Sequence, residues 1–229
     1  MLMMKKIAFL LLPLLSSTAS AVMVDLRHEY LDDSKANYDR VYISHRFDNG
    51  FGFAVEAKTR SGGDDQERPF SEFGDNGDEY TLSYQFSASD FVIQPGFVLE
   101  TASSTAIYKP YLRVQYNINE QWWVAGRYRY EYSRNTDSGS EVDKDDGHMN
   151  RGDVWLGYNV GNLGFEINAL YKKSDLVIYN NDKDDYEYNF RTSYKIDNMT
   201  PYVEVGNVSV SSSSEDRQTR FRVGMAYTF

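Results

Sequence analysis

The sequence of 229 residues contains no cysteine and only three histidines. Without cysteine, the chain cannot be a disulfide-stapled extracellular scaffold. After the first 21 residues it also lacks any apolar run long enough to cross a bilayer as a helix, which excludes a helical membrane protein. The formal net charge of −10 argues against nucleic acid as a partner.

The first residues have the form of a secretory signal peptide. Two lysines precede an apolar run over residues 7–15, and residues 19–21 (Ala-Ser-Ala) match a cleavage site for signal peptidase. The apolar run is too short to span a bilayer. We therefore predict a signal peptide over residues 1–21 and an exported chain that begins near Val22.

The remaining chain is rich in period-two alternation of apolar and polar residues, and 15% of all residues are aromatic. Twelve alternating segments, each about the length of a tilted transmembrane strand, are separated in turn by tight turns and by longer polar stretches. They cover residues 22–31, 38–47, 51–60, 79–87, 91–100, 107–116, 122–133, 150–160, 163–173, 186–195, 200–208 and 218–229. This pattern predicts an all-β fold, a single 12-stranded antiparallel transmembrane β-barrel of the bacterial outer membrane over residues 22–229, with both termini periplasmic.

The last segment supports this class of protein. Bulky apolar residues stand at every second position from Phe221 to Phe229, while Arg220 and Arg222 occupy the other phase. A final strand of this kind resembles the assembly signal of outer-membrane barrels, so we expect the barrel-assembly machinery to recognise it. The apolar phase then faces outer-membrane lipid and lipopolysaccharide, and the arginines face the interior.

The same alternation sends most basic side chains inward. Eleven of the 14 arginines after residue 21 fall on the inward phase, and Arg68, Arg134 and Arg217 fall in predicted loops. With four inward lysines, among them Lys195, they outnumber ten inward carboxylates, so we predict a cationic interior in an anionic protein. The pore-lining basic residues that we select as candidate solute-binding residues are Arg27, Arg40, Arg46, Lys58, Arg60, Lys109, Arg113, Arg127, Arg129, Arg151, Lys172, Arg191, Arg220 and Arg222.

Two arrangements fit such an interior. The inward carboxylates could pair with the arginines and fill a narrow barrel with an ion-pair network, as in small eight-stranded barrels. Alternatively, the lumen could be open and cationic. Because barrel diameter grows with the number of strands, twelve strands favour the open lumen.

Five short motifs follow one another along the predicted strands. They are Ile93-Gln94-Pro95-Gly96, Lys109-Pro110-Tyr111, Gly126-Arg127-Tyr128-Arg129-Tyr130, Thr200-Pro201-Tyr202-Val203-Glu204 and Arg222-Val223-Gly224. In this order and spacing they resemble the oligogalacturonate-specific porin family of the KdgM type, which also includes a sialic-acid porin. The resemblance implies a monomeric channel without a cofactor that passes acidic oligosaccharides from pectin breakdown, or another anionic sugar such as sialic acid.

Arginine has the right chemistry for such a solute. A polyuronate carries one carboxylate per sugar, and a guanidinium binds a carboxylate through two parallel hydrogen bonds. Several arginines along the wall would let the chain exchange carboxylates stepwise. The aromatic residues Tyr42, Tyr111, Tyr202 and Trp155 could stack on sugar faces or simply fill the wall.

An outer-membrane enzyme of the phospholipase barrel type is the alternative from another class. Such an enzyme needs a histidine beside a serine nucleophile, but Ser44 and His45 are adjacent in a strand and so point to opposite faces. No catalytic or metal-ligand motif is present, and we predict neither kind of site. Two Asp-Lys-Asp-Asp runs, at 143–146 and 182–185, lack the spacing of a calcium loop and leave two readings, solvated loops or divalent contacts to lipopolysaccharide.

Overall fold

The computed structural model describes residues 22–62, 67–136 and 146–229, and the predicted signal peptide lies outside these ranges. Within these ranges the chain forms β-strands and no helix. The strands are β1 (Val22–Leu31), β2 (Asn37–Arg46), β3 (Phe51–Arg60), β4 (Gly74–Tyr84), β5 (Phe86–Ala88), β6 (Phe91–Thr101), β7 (Thr105–Asn117), β8 (Trp122–Asn135), β9 (Gly147–Val160), β10 (Leu163–Ser174), β11 (Asp184–Tyr194), β12 (Met199–Ser209) and β13 (Arg217–Thr228).

The strands form one closed antiparallel sheet. Neighbours in sequence pair with each other, and β1 pairs with β13 from Met23 opposite Thr228 to Leu31 opposite Arg220. The strands β4 and β5 are separated by Gln85 alone and both pair with β6, so together they occupy one position in the ring. The prediction of a 12-stranded antiparallel barrel is therefore confirmed.

Tight turns connect neighbouring strands at one end of the barrel. Gly50 has a φ of 90°, and a Cβ at this position would lie 2.3 Å from the carbonyl oxygen of Gln85. The amide of Gln85 in turn donates to the carbonyl oxygen of Gly50 at 2.8 Å, which links the interruption between β4 and β5 to this turn. Both described chain ends lie on the same side, which we call the turn end, and the longer connections define the opposite loop end.

Several strands extend further toward the loop end than the alternation predicted. The strand β4 begins at Gly74 instead of residue 79, β8 ends at Asn135 instead of 133, and β9 begins at Gly147 instead of 150. Most of the added residues are small or polar, so they show no apolar phase. Hydrophobic alternation marks only the part of a strand that has an apolar side, whereas backbone hydrogen bonds continue the sheet beyond it.

The outer face of the sheet is apolar and the inner face is polar. On the outside, Leu82, Tyr128 and Val154 are 53%, 56% and 57% exposed, whereas the inward Ser83 and Asp153 are buried. This is the reverse of a water-soluble β-sandwich and is the arrangement that a barrel adopts in lipid. In the described part of the chain, no helix is long and apolar enough to span a membrane.

Candidate solute pathway

The fourteen basic residues selected from the sequence all lie on strands, on the inward phase. Thirteen are buried or half-buried, and Arg60 is exposed at the rim of the loop end. Lys195 was wrongly placed inside, because β11 ends at Tyr194 and the lysine is exposed in the following turn. The alternation along the strands therefore predicted the inward direction of every selected side chain. It gave a wrong direction only for Lys195, which lies one residue beyond the end of its strand.

Asp153 on β9 holds two of these arginines. Its side chain is 0% exposed, and its carboxylate lies 3.1 Å from Nη2 of Arg127 and 2.7 Å from Nη2 of Arg151. A carboxylate removed from water in this way needs compensating charge, and the two guanidinium groups provide it. The three residues form a fixed cationic patch on β8 and β9 with one uncompensated positive charge.

A second group of charges joins four neighbouring strands. The Nζ of Lys58 on β3 lies 3.1 Å from Glu79 and 2.7 Å from Glu100, and the Nζ of Lys109 on β7 lies 3.2 Å from Glu79 and also contacts Glu100. The side chain of Lys109 is only 4% exposed. Two lysines and two carboxylates balance, so this cluster contributes no net charge to the lumen.

Most of the other candidate residues also form ion pairs with inward carboxylates. They join Arg40 to Asp25 and Glu56, Arg129 to Glu131, Lys172 to Asp185 and Glu187, Arg191 to Glu204, Arg220 to Glu187, and Arg222 to Glu29 and Glu204. Ten of the fourteen candidates thus have a carboxylate partner. The ion-pair network, which the strand number disfavoured, describes most of the wall.

Arg27 differs from these residues. Among the described residues, no carboxylate lies within ion-pair distance of its guanidinium, and its Nε is buried without a hydrogen-bond partner. It lines a cavity of about 340 Å³ together with Arg40, Lys58, Arg222 and Glu29. Asp39 also lines this cavity, and its other three cations are ion-paired, so Arg27 is its unpaired cation among the described residues.

Arg113 also has no ion pair among the described residues. Its Nη2 donates to Oε1 of Gln115 at 2.8 Å, and its Cζ lies 5.7 Å from the ring centroid of Trp155. The Cζ of Arg127 lies 5.2 Å from the same ring. Both guanidinium groups therefore lie within cation–π distance of one indole.

Aromatic residues line a second cavity of about 340 Å³ nearer the turn end. Its wall includes Tyr42, Trp123, Tyr202, Arg191 and Glu166. Trp123 was not among the predicted luminal aromatic residues, although its position next to the outward Trp122 places it on the inward phase. The cavity combines aromatic faces with charged groups of both signs.

Tyr202 is not available as a stacking surface. It is 5% exposed, the Cζ of Arg191 lies 4.4 Å from its ring, and its hydroxyl donates to Oδ1 of Asp25 at 3.0 Å. Asp25 also contacts Arg40. The ring therefore serves the wall, where it connects β12 to β1 across β13.

Two residues near the loop end were assigned wrongly from the sequence. Asp185, predicted in a loop, belongs to β11 and is buried beside Lys172. Arg217, also predicted in a loop, begins β13 on the outer face, where it stacks on Tyr186 and bonds Asp185 at 2.9 Å. On the described strands, fourteen inward basic side chains therefore face eleven inward carboxylates, a smaller excess than the fifteen against ten predicted.

The three histidines lie on the outer face. His45 contacts the rings of Phe47 and Phe53, and His28 bonds Asp39 at 2.9 Å on the neighbouring strand. His148 stacks on Tyr132. Ser44 has the opposite phase from His45, as predicted, and nothing in the described residues points to catalysis.

The acidic runs are only partly described, since residues 143–145 lie outside the described ranges. Asp146 accepts a hydrogen bond from the hydroxyl of Tyr132, which lowers the pKa of the carboxyl. In the second run, Asp185 is ion-paired and Asp184 lies 3.7 Å from Lys173. The described part of the chain contains no cluster of His, Cys, Asp or Glu that could hold a metal ion.

Comparisons with known proteins agree with this architecture. The family described as oligogalacturonate-specific porin protein (KdgM) matches residues 15–229. The chain is 57% identical over 227 residues to the uncharacterized protein YiiY of Salmonella typhimurium, covering 99% of this chain and 98% of that protein. It is 41% identical over 226 residues to the oligogalacturonate-specific porin KdgM of Dickeya dadantii, covering 94% and 95%.

A solved structure shares the fold. The NanC porin superposes with a TM-score of 0.76 at 18% sequence identity, covering 90% of this chain and 100% of that one. At this identity the likeness concerns the barrel itself and leaves the solute open.

Proposed function

The chain belongs to the oligogalacturonate-specific porin family, and from this premise we propose that it is an anion-selective outer-membrane channel for acidic oligosaccharides, with oligogalacturonates as the solute. The barrel fold and the membership of a porin family follow from the comparisons. The choice of solute rests on the named activity of the relative from Dickeya dadantii and on the chemistry of the wall.

The observation that carries this proposal is the cavity around Arg27. The guanidinium has no carboxylate at ion-pair distance among the described residues, and Arg40, Lys58 and Arg222 lie around the same cavity. Because the other three cations are already paired with carboxylates, Arg27 is the group at this cavity that an entering anion would neutralise. A solute carboxylate would satisfy the donors of Arg27 with two parallel hydrogen bonds.

The surrounding ion pairs suit transport better than tight binding. A carboxylate of the solute that reaches Arg40 or Arg222 must compete with Asp25, Glu56, Glu29 or Glu204, which already occupy those guanidinium groups. Competition weakens each contact, so the solute can leave one arginine for the next. In this proposal Arg27 and Arg113 attract the solute, and the paired arginines bind it too weakly to hold it in the lumen.

Replacing Arg27 by serine tests the proposal. We expect block of single-channel current by trigalacturonate to weaken roughly five-fold, equivalent to about 1 kcal/mol for one charge-assisted contact in a water-filled lumen. The measurement is the blocking constant in planar bilayers, together with the reversal potential in a KCl gradient.

Arg134→Ser is the matched control, because Arg134 is exposed on the outer face at the end of β8 and its loss changes the charge equally. Block that stays unchanged in Arg27→Ser, or that weakens equally in Arg134→Ser, would contradict the proposed pathway. A cation-selective wild-type channel would contradict it more generally. If N-acetylneuraminate blocks and trigalacturonate does not, the solute is a sialic acid.

The orientation and surroundings of the barrel complete the proposal. We place both termini in the periplasm, so that the turn end faces the periplasm and the loop end faces outward, as is general for such barrels. The outer face from Phe221 to Tyr227 is apolar and exposed, which suits contact with lipid and recognition of the last strand by the assembly machinery. The loop end would meet lipopolysaccharide, and the barrel would act as a monomer.

A further inference from the structure

Three large aromatic side chains in the lumen lie directly opposite glycines on a neighbouring strand. Tyr111 pairs with Gly96 on β6, Trp123 pairs with Gly157 on β9, and Tyr202 pairs with Gly224 on β13. All six residues have the inward phase. The repeated pairing occurs at three separate positions around the ring, so a local feature of one hairpin does not explain it.

Each ring occupies the space where a side chain of its partner would be. A Cβ built at Gly96 would lie 2.3 Å from Cζ of Tyr111, and one built at Gly157 would lie 2.0 Å from Cε2 of Trp123. At Gly224 the distance to Cζ of Tyr202 is 2.4 Å. The rings therefore lie flat over bare backbone and add little height to the wall.

The surroundings of Tyr111 leave one direction in which its ring can move. Its hydroxyl accepts a hydrogen bond from Nε2 of Gln94 at 3.0 Å, and on its other side it faces Arg129 on β8, with Arg127 at 5.9 Å from the ring. The sheet closes the space behind it. In front lies a lumen cavity of about 370 Å³ that Tyr111 lines together with Tyr42. A ring displaced from Gly96 has to enter that cavity.

We propose that Gly96, Gly157 and Gly224, which we call the glycine seats, set the clear width of the lumen by holding Tyr111, Trp123 and Tyr202 flat against the wall. The seats determine which solutes pass by size, independently of charge. A chain of pyranose rings needs a continuous clear width, since pore diameter is a primary term in channel selectivity. The inference goes beyond the proposed function because it holds for neutral solutes as well.

Gly96→Val provides the test. The valine side chain removes the seat, turns the ring of Tyr111 into the lumen and should lower single-channel conductance in KCl by roughly half, with a larger loss for bulky solutes. Swelling of proteoliposomes in neutral sugars of increasing size measures the second effect without any contribution from anion binding. The double variant Gly96→Val with Tyr111→Ala should recover wild-type conductance or exceed it.

Gly152→Val is the matched control on the outer face, where a Cβ at Gly152 would meet nothing within 4 Å. It introduces the same β-branched residue into a barrel strand and should leave conductance and swelling unchanged. Assembly of each variant is checked by its heat-dependent migration in SDS gels. If Gly96→Val fails to assemble, Gly157→Val with and without Trp123→Ala gives the same comparison at a second seat.

Wild-type conductance in an assembled Gly96→Val barrel would overturn the inference. So would a double variant that stays at the reduced conductance, because the loss would then come from a deformed sheet and not from the ring. An equal loss in Gly152→Val would have the same meaning. Failure of anion selectivity alone would count against the proposed function and leave the glycine seats intact.

Discussion

Replacing Asp153 by asparagine should yield a barrel that unfolds more readily than the wild-type protein and selects anions more strongly. Asp153 is fully buried between Arg127 and Arg151, so the change leaves two guanidinium groups close together without their shared carboxylate. Breaking a buried pair by removing one partner costs about 3 kcal/mol or more. At the same time the lumen gains one positive charge.

Two measurements check both effects. Unfolding in urea, followed by tryptophan fluorescence in lipid vesicles, should show a lower midpoint, and the reversal potential in a KCl gradient should shift toward chloride. Asp48→Asn is the control, since Asp48 is exposed in the turn between β2 and β3. An Asp153→Asn barrel with unchanged stability would mean that water in the lumen solvates the two arginines and that the pair is not a structural element.

The fold could be predicted because lipid imposes one requirement on every strand. Each strand needs an apolar outer phase, as in β13 from Phe221 to Tyr227, so the alternation recurs in all twelve positions. The interruption at Gln85 could not be predicted, because Tyr84 and Phe86 continue the same outward phase on either side of it. It depends on the contact with Gly50, which is distant in sequence.

The sequence predicts that the basic side chains point inward, but it does not predict their ion-pair partners. Period-two phase places Arg222 inside, but its partner Glu29 comes from β1 and is brought near only by closure of the ring. Asp185 was wrongly predicted to lie in a loop for a related reason. Its acidic run is typical of a loop, and the strand continues through it because Lys172 and Arg217 neutralise the carboxylate. Pairing across strands sets how much charge a solute meets, and a single sequence does not contain it.

The three arginines on β7 and β8 allow charge to be separated from guanidinium geometry. Arg113, Arg127 and Arg129 lie on adjacent strands, and Arg113 and Arg127 both lie within cation–π distance of Trp155. Replacing all three by serine would leave eleven inward cations against eleven carboxylates. We expect such a barrel to lose its preference for chloride over potassium.

Replacing the same three arginines by lysine should have a different result. The charge is kept, so the preference for chloride in a KCl gradient should persist. Lysine cannot form two parallel hydrogen bonds to a carboxylate, and it lacks the planar group that stacks on Trp155. Block of the current by trigalacturonate should therefore weaken by roughly ten-fold, about 1.4 kcal/mol, while block by a simple halide stays constant. If the lysine variant binds trigalacturonate as tightly as the wild-type channel, the wall attracts its solute through net charge alone and the planar geometry of Arg113, Arg127 and Arg129 has no part in recognition.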